Sequence, residues 1–158
     1  MDKLLKLLKQ NALETPKNLA KLLATSEKDV KARIARYERD CIIRGYQAIV
    51  NEDSLGLDLV RAVIEVKITP EREGGFDRIA SRLGKFPEVD SLFLMSGSYD
   101  LLVFVKGHNL KQVALFVNEK LATIQGVLST ATHFMLKTYK DQGVLMHSEP
   151  QDERLKIS

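Results

Sequence analysis

Polar and apolar positions along this 158-residue chain follow two rhythms, and the change falls near residue 60. Up to about residue 40 the spacing is helical. Leu4, Leu5, Leu8 and Ala12 share one stripe of "MDKLLKLLKQNA", which predicts a core-facing helix from about Asp2 to Ala12. In "ETPKNLAKLLA", Thr15 stands as N-cap and Pro16 at the first helical position, with Leu19, Leu22 and Leu23 inward. After the short break "ATSEKD", Ser26 caps a third helix, and Asp29 three residues on makes a variant of the capping box. Within "EKDVKARIARYERD", Val30, Ile34 and Tyr37 line one side with Arg33 flanking them, while Lys28, Ala32, Ala35, Arg36 and Arg39 occupy the other. "CIIRGYQAIVN" then predicts a short strand at an edge, and "NEDSLGLDL" a connecting loop.

From Val60 the pattern alternates. Val60, Ala62, Ile64, Val66 and Ile68 fall on one face and Arg61, Glu65, Lys67 and Thr69 on the other, a half-buried strand stopped by Pro70 and Gly74-Gly75. "FDRIASRLGKF" is a helix with Phe76, Ile79, Ala80 and Leu83 inward. "VDSLFLM" and "DLLVFVK" are two strands, and "NLKQVALFVNEKLATI" is a helix capped by Asn109 with Leu110, Val113, Val117 and Leu121 inward. "VLSTATHFMLKTY" is a last strand. The order β-α-β-β-α-β predicts a ferredoxin-like module, a four-stranded antiparallel sheet with both helices on one face. Val63, Phe104 and Met135 on the other face predict burial against a second copy, hence at least a dimer. "SGSYD", residues 96–100, reads as the hairpin turn between two central strands, and it ends in a carboxylate.

Charge sharpens the division. Residues 1–50 carry eleven Lys/Arg against six Asp/Glu, and residues 51–158 thirteen against fifteen, so a polyanion is expected to meet the first half. A basic helix face is most often plain solvated surface. Here three short helices, a tight turn and the local positive charge together favour a helix-turn-helix whose third helix enters the DNA major groove, with alanines letting the backbone approach. One cysteine, Cys41, excludes an internal disulfide and fits a reducing cytoplasm. No apolar run is long enough to span a membrane, and the charged opening "MDKLLKLLKQ" is not a signal peptide. P-loop, dinucleotide-binding and hydrolase motifs are absent, and His108, His133 and His147 are too scattered for a metal site, so no cofactor and no catalysis are expected.

Taken in order, "LLKLLKQNA", "NLAKLLATS", "VKARIARYERDCIIRGYQAIVNEDSLG", "FPEVDSLFLMSGSYDLLVFV" and "FVNEKLATIQGVLSTATHFMLK" resemble the Lrp/AsnC family of feast/famine regulators over about residues 2–140. The Gly-x-Tyr-Asp pattern at 97–100 and the Gly-Val…Thr-x-Thr run at 126–132 are distinctive as a set. The resemblance implies an α+β protein with four parts: a helix-turn-helix domain (1–50), a linker (51–59), a ferredoxin-like effector-binding and oligomerisation domain (60–140) and a polar tail (141–158). By the same carry-over, Ser26, Lys28, Lys31, Arg33, Arg36 and Arg39 belong to the DNA-reading turn and helix, and Gly97, Ser98, Tyr99 and Asp100 to the effector region. The implied partners are double-stranded DNA, a small effector such as an amino acid held at a subunit interface, and further copies of the chain, from dimer to tetramer or octamer. For the effector, backbone N–H groups around Gly97 and Ser98 would take an α-carboxylate and Asp100 an α-ammonium. The family usually has Gly where Cys41 stands, which predicts an altered end to the third helix and, with Ile42 and Ile43 following, a buried, inert thiol. Two other functions fit the same architecture: a related haem-synthesis decarboxylase, and a DNA-packaging protein without effector.

Overall fold

The computed structural model describes residues 1–57, 59–69 and 75–147, and the chain divides into two compact units, residues 1–49 and the part from Val50 onward.

The first unit is helical. Helix α1 (Lys3–Gln10) is capped by the Asp2 carboxylate, which accepts the Leu4 N–H at 2.9 Å. It stops before Ala12 because the Asn11 side chain accepts the Leu13 N–H at 3.0 Å, an alternative to continuing the helix that leaves Ala12 in solvent. Helix α2 (Pro16–Leu23) starts at the Thr15 cap, and α3 (Glu27–Arg39) at the Ser26 cap, as the sequence predicts. Only half of the capping box forms. Asp29 turns outward to accept the Thr25 hydroxyl at 3.1 Å. The core is Leu4, Leu8, Leu19, Ala20, Val30 and Tyr37. Leu22, expected inside, is 65% exposed and Ala20 takes its place. With about 100° per residue, the buried arc runs from Leu19 through Leu23 to Ala20, and Leu22 lies beyond its far edge.

Helix α3 does end in a left-handed residue despite the cysteine. Cys41 has φ 56°, with the Ile42 N–H bonded to Tyr37 O (2.8 Å) and the Cys41 N–H to Glu38 O (3.1 Å), a Schellman closure. The thiol is exposed, contrary to the expectation of a buried one. Residues 44–50 form no strand. An all-helical unit offers them no strand to pair with, and the Tyr46 hydroxyl instead donates to Glu38 Oε1 at 2.9 Å.

In the second unit, β1 (Val60–Ile68), β2 (Val89–Leu94), β3 (Leu101–Gly107) and β4 (Val127–Phe134) form an antiparallel sheet in the order β2-β3-β1-β4. β2 is therefore an edge, and the 96–100 turn joins an edge strand to a central one rather than two central strands. Pro70 and Gly74 lie outside the described residues. Helix α4 (Gly75–Leu83) and helix α5 (Leu110–Leu115), continued by a π-helical stretch (Phe116–Leu121), cover one face. Ala62, Ile64, Val66, Leu101, Val103 and Val105 meet Ile79, Leu83, Val113, Phe116, Leu121 and Ile124 there. Each large side chain buried so contributes about 1.5–3 kcal/mol. The widened winding, with the Ala122 N–H bonded to Val117 O, aims Phe116, Val117 and Leu121 together at the sheet, while Leu110 at the helix start is 58% exposed, against expectation.

Part of the expected polar tail is ordered structure. β5 (Lys140–Asp141) and β6 (Val144–Leu145) make a hairpin whose two turn residues, Gln142 and Gly143, both have positive φ (44° and 91°). Met146 after it is buried, and its carbonyl accepts from Asn51 Nδ2 at 2.6 Å. Residues 148–158 of the expected tail lie outside the described residues.

Candidate functional site

Helix α3 presents Lys28, Lys31, Ala32, Ala35, Arg36 and Arg39 to solvent. At about 100° per residue these six positions fill a continuous arc of about 140°. Long cations alternate with methyl-sized side chains, so the backbone can approach a surface while the charges reach past it. Ser26 caps the start of the helix, its Oγ accepting the Asp29 N–H at 3.1 Å. Lys31 pairs with Glu27 at 2.6 Å, an exposed contact of the kind that is worth little and is easily exchanged for a phosphate. Arg39 lies 3.8 Å from its neighbour Asp40, and the Arg36 guanidinium rests 5.4 Å from the Tyr37 ring centroid.

Arg33 is placed differently from the other predicted DNA contacts. It projects beyond the edge of that arc, half-buried, and its Nη2 donates to both Asp2 oxygens at 2.7 Å, with Asp29 3.5 Å from Nη1. The Tyr37 hydroxyl donates to the same Asp2 carboxylate. These bonds, Tyr37 first and Arg33 second, hold the Asp2 carboxyl well below the usual carboxylate range, and Asp2 in turn pushes the Arg33 guanidinium upward. The sequence reading missed Asp2. Its visible signal was a carboxylate immediately before a helical leucine stripe; its link to α3 is tertiary.

At the other predicted site, Ser96, Gly97 and Ser98 form an exposed bend, with Gly97 at φ 136°. The N–H groups of residues 96–99 donate to no acceptor among the described residues. Asp100 is anchored on three sides: its N–H donates to Val66 O (3.0 Å), its carbonyl accepts from the Met95 N–H (2.8 Å) and its Oδ2 accepts from the Ile68 N–H (2.7 Å). One carboxylate oxygen therefore closes the end of β1, where the ladder to β3 has run out, and Oδ1 remains. Tyr99 beside it is half-buried.

A cavity of about 90 Å³ lies between the 3₁₀ turn Glu52–Leu55, the start of β1 and the β5–β6 hairpin. Two of its polar groups are already committed, Arg61 to Glu52 and Asn51 to the Met146 carbonyl, while His147 Nε2 lies 3.7 Å from Asp53, beyond hydrogen-bond reach. That arrangement is a joint rather than a site. Among the described residues no group of three or more His, Cys, Asp or Glu is placed to hold a metal.

Residues 61–145 match the family described as the Lrp/AsnC ligand binding domain. Over 98% of this chain and 94% of the relative, the sequence is 38% identical to YugG, an HTH-type transcriptional regulator of Bacillus subtilis. Among solved structures, a transcriptional regulator of Neisseria meningitidis in complex with L-Met is 28% identical, with a TM-score of 0.69 over 89% of this chain and 93% of that one. AsnC of E. coli, 23% identical, shares the fold with a TM-score of 0.66, covering 87% and 93%. The Bacillus and Neisseria relatives are both named as transcriptional regulators.

Proposed function

This chain belongs to the Lrp/AsnC family of helix-turn-helix transcriptional regulators, and on that premise we propose how its parts divide the work. The exposed face of α3 reads the major groove of double-stranded DNA in the cytoplasm. Lys28, Lys31, Arg36 and Arg39 contact phosphates and base edges, and the Ser26 hydroxyl donates to a phosphate while its oxygen caps the helix. The observation that carries this is the unbroken arc of cations and alanines on one side of the helix. Replacing Arg36 and Arg39 with Ala removes about two phosphate contacts. The slope of log affinity against log salt on the chain's own upstream DNA then falls by about 0.9 for each. Fluorescence anisotropy at several salt concentrations measures it, and an unchanged slope with unchanged affinity sinks the reading.

The 97–100 turn takes a free amino acid. The unengaged N–H groups of Gly97, Ser98 and Tyr99 receive its carboxylate, and Asp100 Oδ1 receives its ammonium. L-Met, the ligand named for the Neisseria relative, is the first to titrate. Asp100→Asn keeps an oxygen for the Ile68 N–H and removes only the charge, so calorimetry should record at least a tenfold weaker binding with no loss of fold. Equal affinity would remove Asp100 from the site. Binding at a subunit interface shifts whichever assembly it favours, and with it the DNA affinity. That assembly is a homodimer through the open sheet face (Val63, Phe104, Met135), extending to a tetramer or octamer.

A further inference from the structure

We propose that Asp2 is a positioning residue for DNA reading: through Arg33 and Tyr37 it fixes the rotation of α3 about its own axis, and so sets where the exposed cations point. This inference rests on the α3 reading above and adds a residue outside the helix.

Three observations support it. Asp2 engages two residues one helical turn apart, Arg33 by two bonds of 2.7 Å and Tyr37 through its hydroxyl. Two anchors at i and i+4 resist rotation as well as sliding, which a single contact does not. The anchors also lie about half-way round the helix from Lys28 and Arg39, so the clasp is the rear mount of the reading face. Finally, the same carboxylate caps α1 through the Leu4 N–H, so α3 is tied to the start of a second helix that shares its core.

The magnitudes make rotation matter. An arginine tip about 8 Å from the helix axis moves about 1.4 Å for a rotation of about 10°. Bidentate contacts to a guanine edge tolerate a few tenths of an ångström, because N–H···O distances fall between about 2.7 and 3.2 Å. Contacts to phosphates survive such a shift, since flexible cations follow a diffuse charge. Asp2 therefore governs sequence discrimination more than overall affinity. Its carboxylate stays ionised through the physiological range, held so first by the Tyr37 hydroxyl and then by Arg33.

The test uses the full chain and two duplexes of equal length: one enriched by the wild-type protein from a random pool, the other a scramble of it. Asp2→Asn retains an N-cap acceptor, since Asn caps a helix as well as Asp, but loses the charged two-oxygen seat for Arg33. About a tenfold loss is expected on the selected duplex, the scale of one lost base contact, with unchanged affinity for the scramble and an unchanged salt slope. Arg33→Lys, which keeps the charge and loses the fork, should give the same pattern. Undiminished discrimination by Asp2→Asn overturns the proposal. So does an Arg33→Ala variant that weakens on both duplexes with a salt slope lower by about 0.9, the mark of a direct phosphate contact. If Asp2→Asn melts below the assay temperature, Tyr37→Phe decides by the same criteria, because it leaves the cap and the ion pair in place. If the wild-type protein enriches no sequence at all, the α3 reading falls and this inference with it. Enrichment by the wild type with equal discrimination by the variants removes the inference alone.

Discussion

Cys41 sits at φ 56°, a conformation that costs an ordinary side chain about 1–2 kcal/mol. Its N–H and that of Ile42 nevertheless close α3, because two backbone bonds and the packing of Ile43 on the helical core outweigh the strain. Cys41→Gly should therefore stabilise the first unit by about 1 kcal/mol, a rise of roughly 4–8 °C in melting temperature for a small domain. Thermal denaturation followed by circular dichroism checks it, and an equal or lower midpoint would show that the strain is relieved elsewhere. Ala24 at φ 51° closes α2 by the same geometry, with the Thr25 N–H on Ala20 O at 3.0 Å. The N-caps at Thr15 and Ser26 were legible in the chain because capping depends on residues three apart. The Asp2–Arg33 pair was not, because 31 residues separate its members and only packing brings them together.

At the scale of elements, the sheet has two unlike faces. One is sealed by α4, α5 and the π-helical stretch. The other carries Val63, Leu102 and Phe104 half-buried, with Phe93 51% exposed and packed edge-on to Phe104 at 5.9 Å between ring centroids. An apolar strip of this kind marks a surface suited to being covered by another molecule. Phe104→Glu places a charge in its middle and should dissociate the homodimer proposed through this face to monomers in sedimentation velocity, with the core face untouched. A variant that still sediments as the wild type would show that copies meet elsewhere. The alternation along β1 announced both faces, since period-two patterning survives in any sequence that builds a half-buried strand. Strand order was less legible: the 96–100 turn was expected between two central strands, yet pairing placed β2 at the edge. Leu22 and Leu110 were also misjudged, because an amphipathic stripe gives a direction only to within about a third of a turn, and the neighbouring elements decide its edge.

The whole molecule consists of two units, each with a core of its own, and no helix among the described residues is long and apolar enough to cross a membrane. The β5–β6 hairpin was hidden in a stretch that reads as tail, since Gln-Gly is a weak turn signal beside Asn-Gly and each strand has two residues. Its anchor, Met146 under Asn51, belongs to packing that no local pattern encodes.

The segment from Arg44 to Val50 is exposed and outside any helix or strand, and none of its N–H groups has an acceptor among the described residues. In deuterated solvent its amides should exchange as fast as those of an unstructured peptide as long as the chain is alone. Slowing there would report an acceptor or a covering surface from outside the described residues. Hydrogen exchange over these seven residues therefore reports, without a label, any acceptor that reaches them from outside the described residues, whether from the rest of this chain or from a partner.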